Sequence, residues 1–416
     1  MSITALQYSE DGKGHIPAKN YEEEQMVVSN EVVYPAISAG GKKAELLTDT
    51  YKHIASDDAK TLFPQTVSEV GAFEFSISAP KGDVENTSLY LGKSSFLIQP
   101  ATITLGRFYP KFYTLRGQNW DYAGSQSFNY MNQNFDSMWY EVEVLTGGDF
   151  PKSVENYKYF NKEHVASFEL SDSLNRFNAQ GGNLTPSWVD ALGSIQRFTL
   201  TPPPLSGECN SAEGLCWMKK TPAAGYEDGP FNLNGNTIKA TDIKVGVATE
   251  PDPISVYGNP VLSMQPDIRF GRVGLDDVGG NQGATLHIPL RIEYWNGSRF
   301  IANPNDNQTD VKGVTAAERH IWPTGTDADP KAVTLGAGGE VSSGSSRSVT
   351  ATQAEPYRQQ TRVWLDLDDS ENGLPWLKYD WDNDGSEENP SSVVTFGIHR
   401  GNDRVIYRGE PGLTGQ

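Results

Sequence analysis

The sequence has little of what reactive and nucleic-acid-binding sites are made from. Its 416 residues include only two cysteines and six histidines, and the histidines are too scattered to complete a zinc site. Lys and Arg total 34 against 53 Asp and Glu, which gives a net charge of −19 at pH 7. Because phosphate groups are bound by cationic surfaces, this balance argues against nucleic acid as a partner and disfavours anionic membranes.

Long apolar segments are missing as well. No run approaches the roughly eighteen residues of a transmembrane helix, so no membrane span is predicted. The start of the chain, Met-Ser-Ile-Thr-Ala, leads directly into a strand pattern and does not resemble a secretory signal peptide. We therefore expect the chain to be part of a longer protein whose signal peptide lies upstream.

The short motifs of common enzyme classes are also absent: Gly-X-Ser-X-Gly, His-Glu-X-X-His, the Walker loop and a Gly-X-Gly-X-X-Gly that opens a helix. This favours a non-enzymatic protein. A secreted carbohydrate-active enzyme is an alternative, because two catalytic carboxylates can come together from distant positions without a motif. Such an enzyme would hold them about 5–10 Å apart in an aromatic cleft.

What the chain does contain is a β-rich composition. Its 41 Gly and 25 Pro separate short runs rich in Val, Ile, Thr and aromatic residues, which is typical of stacked β-sheets. We predict an all-β protein of tandem, immunoglobulin-like β-sandwich domains with few short helices. The helix candidates are residues 43–59 and residues 186–197, where Thr185 can cap and Pro186 suits the first helical position.

Two stretches of the chain resemble each other. Each opens on a strand pattern, passes Gly and Pro to an Asn-Tyr pair, and closes through Leu-Gly or Tyr-Gly, Gln-Pro and an Ile to Gly-Arg. The repetition predicts β-sandwich domains at 1–106 and 107–271, followed by a C-terminal β domain at 272–416, with the two Gly-Arg segments as short linkers. Chance similarity between Gly- and Pro-rich β sequences is the alternative. Residues 336–348, rich in Gly and Ser, are predicted to be a mobile loop that forms a long, solvated hairpin connection, with a functional lid as the alternative.

The two cysteines, Cys209 and Cys216, have six residues between them. That spacing does not match a redox Cys-X-X-Cys pair or a zinc site, so a local disulfide is predicted. A disulfide indicates an oxidising compartment, and hence an extracellular or cell-surface location.

A dense acidic segment near the C-terminus is typical of the first half of a calcium loop. Asp380, Asp382 and Asp384 alternate, and Gly385 supplies a sharp turn. A loop that coils around a hard cation turns every second side chain inward, so these carboxylates are candidate calcium ligands. Two further candidates complete the predicted set, the carbonyl of Ser386 and the carboxylate of Glu388.

The ligand set is incomplete by the EF-hand pattern, because Ser391 stands where a bidentate Glu is expected. Glu387 or Glu388, and Asp366 and Asp368 on the preceding strand-like run, are the candidates for the missing ligand. The alternative interpretation is an acidic, solvated turn between strands at 376–379 and 393–398.

Aromatic and amide side chains concentrate between residues 112 and 140. Trp120, Tyr122 and Trp139 are the candidates for binding sugar rings, since stacked aromatics beside amides suit saccharides. Core residues of a sandwich would follow the same pattern, and that interpretation is favoured.

Several segments, in order, resemble MshQ-type proteins, which are associated with the mannose-sensitive haemagglutinin (MSHA) type IV pilus of Gram-negative bacteria. They are residues 106–110, 128–131, 229–231, 268–273, 288–298, 375–385, 395–401 and 406–407. Relatives commonly carry a cysteine-bearing loop after the 288–298 segment, whereas residues 305–309 here are Asn-Asp-Asn-Gln-Thr. Residues 1–100 resemble the family less clearly.

The resemblance implies a secreted, pilus-linked surface protein without catalytic activity, acting in adhesion or pilus tip assembly. It implies minor pilins or host and surface glycans as partners, and a lectin-like module upstream. A second hypothesis makes the chain a structural stalk that only presents that module.

Overall fold

The computed structural model describes residues 1–56, 58–80, 98–189, 193–203, 208–236, 239–312, 315–336, 338–368 and 373–397. These residues form β-strands, and their helical segments are single 3-10 turns, as expected for an all-β protein. None of the described helical turns has the length and apolar character to cross a bilayer. The short turns are Ile37–Ala39, Ala123–Ser125, Asn156–Tyr159, Lys162–His164, Leu233–Gly235 and Pro375–Leu377.

The N-terminal region contains a four-stranded antiparallel sheet with the order β5-β4-β7-β8. Alternate residues of β4 and β7 are buried, which follows from the period of two in side-chain direction along a strand. Phe73 and Phe75 lie at the centre of its core. The strands are β1 (Ser2–Thr4), β2 (Leu6–Tyr8), β3 (His15–Pro17), β4 (Glu23–Tyr34), β5 (Thr50–His53), β6 (Lys60–Leu62), β7 (Gly71–Ser78) and β8 (Ala101–Phe108).

The middle region is built on a five-stranded sheet with the order β14-β15-β11-β9-β18. Its inner face packs against the antiparallel pair β12-β17 through a large aromatic core that includes Tyr140, Phe168 and Phe198. The strands are β9 (Phe112–Asp121), β10 (Asn129–Tyr130), β11 (Ser137–Leu145), β12 (Ser167–Ser171), β13 (Phe177–Asn178), β14 (Asn183–Trp188), β15 (Ile195–Thr201), β16 (Cys216–Trp217), β17 (Lys244–Thr249), β18 (Ser255–Val256) and β19 (Ile268–Arg269).

The C-terminal region packs the sheet β21-β32-β31-β26 against the sheets β22-β30-β27 and β20-β23-β24. Its strands are β20 (Gly271–Leu275), β21 (Val278–Gly280), β22 (Thr285–His287), β23 (Leu290–Trp295), β24 (Phe300–Ala302), β25 (Asp310–Lys312), β26 (Thr315–Trp322), β27 (Val333–Gly336), β28 (Gly338–Glu340), β29 (Ser345–Ser346), β30 (Thr350–Gln353), β31 (Gln359–Leu365) and β32 (Ser391–Phe396).

Several local expectations were wrong. The predicted helix at 186–197 is the hairpin of β14 and β15, in which Pro186 pairs with Phe198. β14 lies at the edge of its sheet, where a proline is tolerated. The other helix candidate, 43–59, contains β5, and the predicted loop at 336–348 contains β28 and β29. Residues 376–379 form part of a 3-10 turn and a single β-bridge instead of a strand.

The two Gly-Arg segments are not linkers, since both lie within strands, β8 and β20. Around the second one, the cores of the middle and C-terminal regions interpenetrate. Phe128 and Tyr130 come from the middle region but are fully buried in the C-terminal core. Gly271 makes this possible, because a Cβ there would lie 2.3 Å from the Tyr130 ring. Three aromatic side chains pack in the opposite direction, against the middle core: Trp295, Phe300 and Tyr379.

We call the contact between the middle and C-terminal cores, around residues 267–271, the C-terminal joint. A buried polar network reinforces it. The Arg269 guanidinium, 1% exposed, pairs with Asp267 at 3.0 Å and donates to Asn303 Oδ1 at 2.6 Å. The Tyr130 hydroxyl donates to Asp306 Oδ2 at 2.8 Å and accepts from the Asn303 amide at 2.7 Å. Each buried charge therefore has a partner, which a stable interior requires.

The contact between the N-terminal and middle regions, the N-terminal joint, is built differently. The side-chain amide of Asn156 donates to the carbonyls of Lys42 and Val70, at 2.8 and 3.0 Å, and its oxygen accepts from the Lys42 N–H. The Glu69 carboxylate accepts from the backbone N–H groups of Glu155 and Asn156, and burial raises the Glu69 pKa. The Tyr34 hydroxyl accepts from a further backbone N–H, that of Asn161.

Candidate metal centre

The acidic loop is closed by its own carboxylates. Asp380, only 4% exposed, accepts hydrogen bonds from the N–H groups of Asp384 and Gly385 at 3.0 and 3.1 Å. Asp384 in turn accepts from the Ser386 N–H at 2.9 Å. The chain reverses through two residues with left-handed backbone, Asn383 at φ 59° and Gly385 at φ 93°. The short side chains and the glycine are what permit this coil.

The coil brings four of the predicted ligands together. Each of Asp380, Asp382, Asp384 and Glu388 offers an oxygen, and these four atoms lie within 4.8 Å of one another. Two oxygens on opposite sides of one calcium ion would be about 4.6–5.2 Å apart, twice the usual Ca–O distance. The cluster therefore has the size and the hard oxygen donors that one calcium ion requires.

The other candidates for the missing ligand lie elsewhere. Ser391, the residue at the position of the expected Glu, is in β32, where it pairs with Trp364. Glu387 faces away from the cluster and pairs with Lys219. Asp368 pairs with Lys378 at 2.9 Å, and Asp366 accepts from the Asp368 N–H. Within the described part of the chain, the structure brings together four carboxylates and adds none of these residues to them.

The loop is docked against the middle region. The Lys219 ammonium, 3% exposed, donates to Glu387 Oε1 at 3.0 Å and to the Lys378 carbonyl at 2.9 Å. The Asp380 N–H donates to the Tyr226 hydroxyl at 3.1 Å. The Tyr379 ring stacks on the Tyr226 ring, with centroids 5.8 Å apart. The acidic loop is thus part of the C-terminal joint, which the sequence pattern gave no reason to expect.

Burial perturbs the ionisation of this docked loop. Burial raises the pKa of Glu388, and the neighbouring Asp382 carboxylate raises it further. Burial also raises the Glu387 pKa and lowers the pKa of its partner Lys219. Carboxylates crowded in this way favour a proton or a cation in their midst.

The three candidate sugar-binding aromatics do not form one platform. Trp120 is 6% exposed and packs on Phe135 in the middle core, and its indole N–H donates to the Met264 carbonyl at 2.9 Å. Tyr122 packs against the same core, and its hydroxyl accepts from the Asp267 N–H. Trp139 is half-buried, and the Arg197 guanidinium lies 4.0 Å from its ring centroid. The burial of Trp120 and the packing of the partly buried Tyr122 against the same core support the core interpretation for those two residues.

Cys209 and Cys216 form a disulfide with Cα atoms 6.2 Å apart. Both are fully buried, beside Trp217. In the chain-entropy model, closing so short a loop contributes about 2.5 kcal/mol. The disulfide fixes the segment that precedes Lys219, and so helps to position the surface on which the acidic loop docks.

Several residues of the joint escaped the sequence analysis. Lys219, Tyr226 and Arg269 are all buried, yet none belongs to a recognisable motif. Arg269 lies in one of the segments that carry the family resemblance, and this was the only signal available for it. Its partners Asn303 and Asn305 are more than thirty positions away, and a single sequence does not reveal such a pairing.

Solved structures were compared with this fold. The adhesin InvE of Yersinia pseudotuberculosis aligns over 68% of this chain and 59% of its own, with 13% identity and a TM-score of 0.23. The chain thus spans less than two thirds of InvE. The I9-I11 tandem of titin aligns over 90% of this chain and 94% of its own, with 6% identity and a TM-score of 0.23. No curated protein matches the chain.

Family models match most of the chain. Residues 69–249 match the third domain of DUF6701, and residues 269–411 match its fourth domain. The first match starts ahead of β7 and so includes two strands of the N-terminal sheet. The boundary between the two matches lies at the C-terminal joint. The chain therefore belongs to the DUF6701 family and carries its third and fourth domains.

Proposed function

We propose that this chain is a non-enzymatic, cell-surface protein of the MSHA type IV pilus system that acts in adhesion or pilus tip assembly. Its segments resemble MshQ-type proteins, and the two DUF6701 domains fit a surface protein. The observation that carries the proposal is the C-terminal joint. Because each of the two domains buries side chains of the other, they form one stiff body. A stiff body suits a protein that must hold a binding surface away from the cell.

The test is attachment by live bacteria. Deleting the gene should abolish MSHA-dependent attachment, and the full-length gene should restore it. A gene that carries Arg269→Ala, a substitution that should open the joint, should still yield secreted protein. It should restore only part of the attachment. Normal attachment by the deletion strain would refute the role in adhesion.

The stalk hypothesis differs in one measurable way. A stalk that presents an upstream lectin-like module has no ligand of its own, so the isolated chain would bind nothing on a glycan array. Attachment would then require the longer protein. Binding by the isolated chain would favour adhesion over the stalk.

The rival class, a carbohydrate-active enzyme, makes another prediction. A glycosidase needs two carboxyl groups on either side of a bound sugar. Release of reducing sugar from surface polysaccharide by the purified chain, lost in single carboxylate variants, would establish that class and overturn the non-enzymatic proposal.

We also propose that the acidic loop binds calcium as a clamp across the C-terminal joint. The four clustered carboxylates would hold the ion, and the neighbouring Lys378, Tyr379 and Glu387 dock on the middle domain. Extracellular calcium is near millimolar, which fills even a site with a Kd of about 10⁻⁴ M. Binding would neutralise the mutual repulsion of the carboxylates and stiffen the docked loop.

A further inference from the structure

A pocket of about 240 Å³ lies at the C-terminal joint, and its lining includes none of the four carboxylates of the calcium proposal. The middle domain contributes the turn at Ala123–Ser125 and two glutamines, and the C-terminal domain contributes two loops. The lining residues are Ala123, Gly124, Gln126, Gln133, Gln308, Thr309, Asp310, Gly373, Leu374 and Trp376.

One lining group lacks a partner. The amide oxygen of Gln126 is buried and accepts no hydrogen bond in the protein. Folded proteins rarely leave a buried acceptor unpaired, and each case needs an explanation such as a missing ligand or water. Because Gln126 lines the pocket, a donor group on a bound molecule would satisfy it.

The pocket walls are held in place before any ligand arrives. The Gln133 amide oxygen accepts from the Tyr130 N–H at 2.9 Å, and the Thr309 hydroxyl donates to Asp306 at 2.7 Å. Tyr130 and Asp306 are themselves bonded to each other in the buried network of the joint. A pre-formed wall lowers the entropy lost on binding.

The lining chemistry points to one class of ligand. Three glutamine side chains can donate and accept, Asp310 can accept from paired hydroxyls, and Trp376 offers a half-buried aromatic ring. Neighbouring hydroxyls that both donate and accept, next to an apolar C–H face, are what a sugar ring presents. The described lining residues include one carboxylate and no Lys or Arg, so an anionic ligand such as a phosphate or a sialic acid is disfavoured.

Size narrows the class further. Drug-sized ligands occupy pockets of about 300–1,000 Å³, and this pocket is smaller. It has room for one sugar residue, such as the end of a surface glycan, and not for an extended chain or a lipid.

We propose that this pocket binds a single neutral sugar residue at the end of a glycan. The proposal names the ligand class for the adhesion role proposed above, and its relevance to attachment rests on that role. The binding itself is a property of the isolated chain, so its failure and the failure of the attachment experiment are separate results.

The test is saturation-transfer NMR on the purified chain with methyl glycosides of mannose, galactose, glucose and N-acetylglucosamine, and with sialic acid as the anionic comparison. We expect transfer to at least one neutral sugar. Trp376→Ala and Gln126→Leu should each weaken that sugar's binding at least tenfold. Gln126→Leu is the sharper variant, because it removes an unpaired buried acceptor and should leave the thermal unfolding temperature unchanged or higher. Trp322→Ala, at an exposed tryptophan outside the lining, is the matched control and should bind like the wild type.

Any of three results would overturn the proposal. One is no transfer to any neutral sugar from protein whose unfolding temperature shows it to be folded. Another is transfer that persists unchanged in both Trp376→Ala and Gln126→Leu. The third is transfer that occurs only with sialic acid.

Discussion

The two joints of this molecule connect neighbouring regions by different means. At the C-terminal joint the two domains exchange aromatic side chains and share a buried arginine network. At the N-terminal joint one buried asparagine and one glutamate bond mainly to backbone groups across the boundary. The first arrangement couples the stability of two cores, whereas the second relies mainly on polar bonds, with Val70 and Tyr34 as the N-terminal side chains that also pack against the middle core. The middle and C-terminal domains should therefore unfold together, and the N-terminal region should be able to detach first.

The strongest way to break this comparison is Arg269→Ala. Removing the guanidinium leaves the buried Asp267 without its partner, which should lower the free energy of unfolding by about 3–5 kcal/mol. Urea unfolding of the whole chain should show the middle and C-terminal domains losing stability together. The control is Arg197→Ala, which breaks a more exposed pair with Glu141 and should cost about 1 kcal/mol or less. Equal losses in the two variants would contradict the coupled joint.

Calcium should sharpen the difference between the joints. Because the ion would bind the folded loop better than the unfolded chain, a hundredfold excess over Kd should stabilise the protein by about 2.7 kcal/mol. Thermal unfolding with calcium, magnesium and chelator measures this. Asp382→Ala should remove the gain, and Asp327→Ala, at an exposed residue outside the cluster, should keep it. The same unfolding temperature in all three solutions would reduce the cluster to an acidic turn.

Asn156→Ala should loosen the N-terminal joint alone. The variant takes their side-chain partner from the partly buried Lys42 N–H and from the Lys42 and Val70 carbonyls, which should cost about 1–3 kcal/mol. Hydrogen exchange should speed up at the Glu155 amide, which bonds to Glu69, and stay slow at the Met131 amide, which bonds to Arg269. Asn119→Ala, at an exposed hydrogen bond, is the control. Faster exchange at Met131 would mean that the two joints are coupled.

The smallest effect concerns pH at the N-terminal joint. Burial raises the pKa of Glu69 in the folded protein, so the folded state holds this proton more tightly than the unfolded chain does. The contribution of Glu69 to the free energy of unfolding should therefore increase as the pH falls through the raised pKa. The same contribution should be lost as the pH rises through that pKa. The measurement is the difference in unfolding free energy between wild type and Glu69→Gln at pH 5 and pH 7. A difference that is the same at both pH values, or larger in favour of the wild type at pH 7, would contradict the assignment.

Local patterns predicted the all-β class, since alternation along β4 and β31 is visible in the sequence. The order Asp380, Asp382, Asp384, Gly385 also predicted a tight acidic coil. The local signals at Thr185 and Pro186 were overridden by strand pairing, because a helix start and an edge strand can share the same residues.

Long-range contacts could not be predicted, because a single sequence does not show which distant residues meet in the fold. Nothing in the neighbourhood of Tyr130 indicates that its ring completes the core of a domain that starts about 140 residues later. The pocket depends on one such distant contact, the hydrogen bond between Tyr130 and Asp306. Gln133 on one wall is bonded to Tyr130, and Thr309 on the other wall is bonded to Asp306. Gln126 in particular looks like an ordinary surface amide in the sequence.

The exchange of side chains across the C-terminal joint has a consequence for inheritance. Phe128 and Tyr130 precede most of the middle domain along the chain, yet they fill space in the next one. A recombination event that replaced only the middle domain would leave a cavity in the C-terminal core. One that replaced only the C-terminal domain would leave the Phe128 and Tyr130 rings exposed to solvent. The third and fourth DUF6701 domains should therefore pass between genes as a pair, and substitutions at Gly271 and Tyr130 should accumulate together.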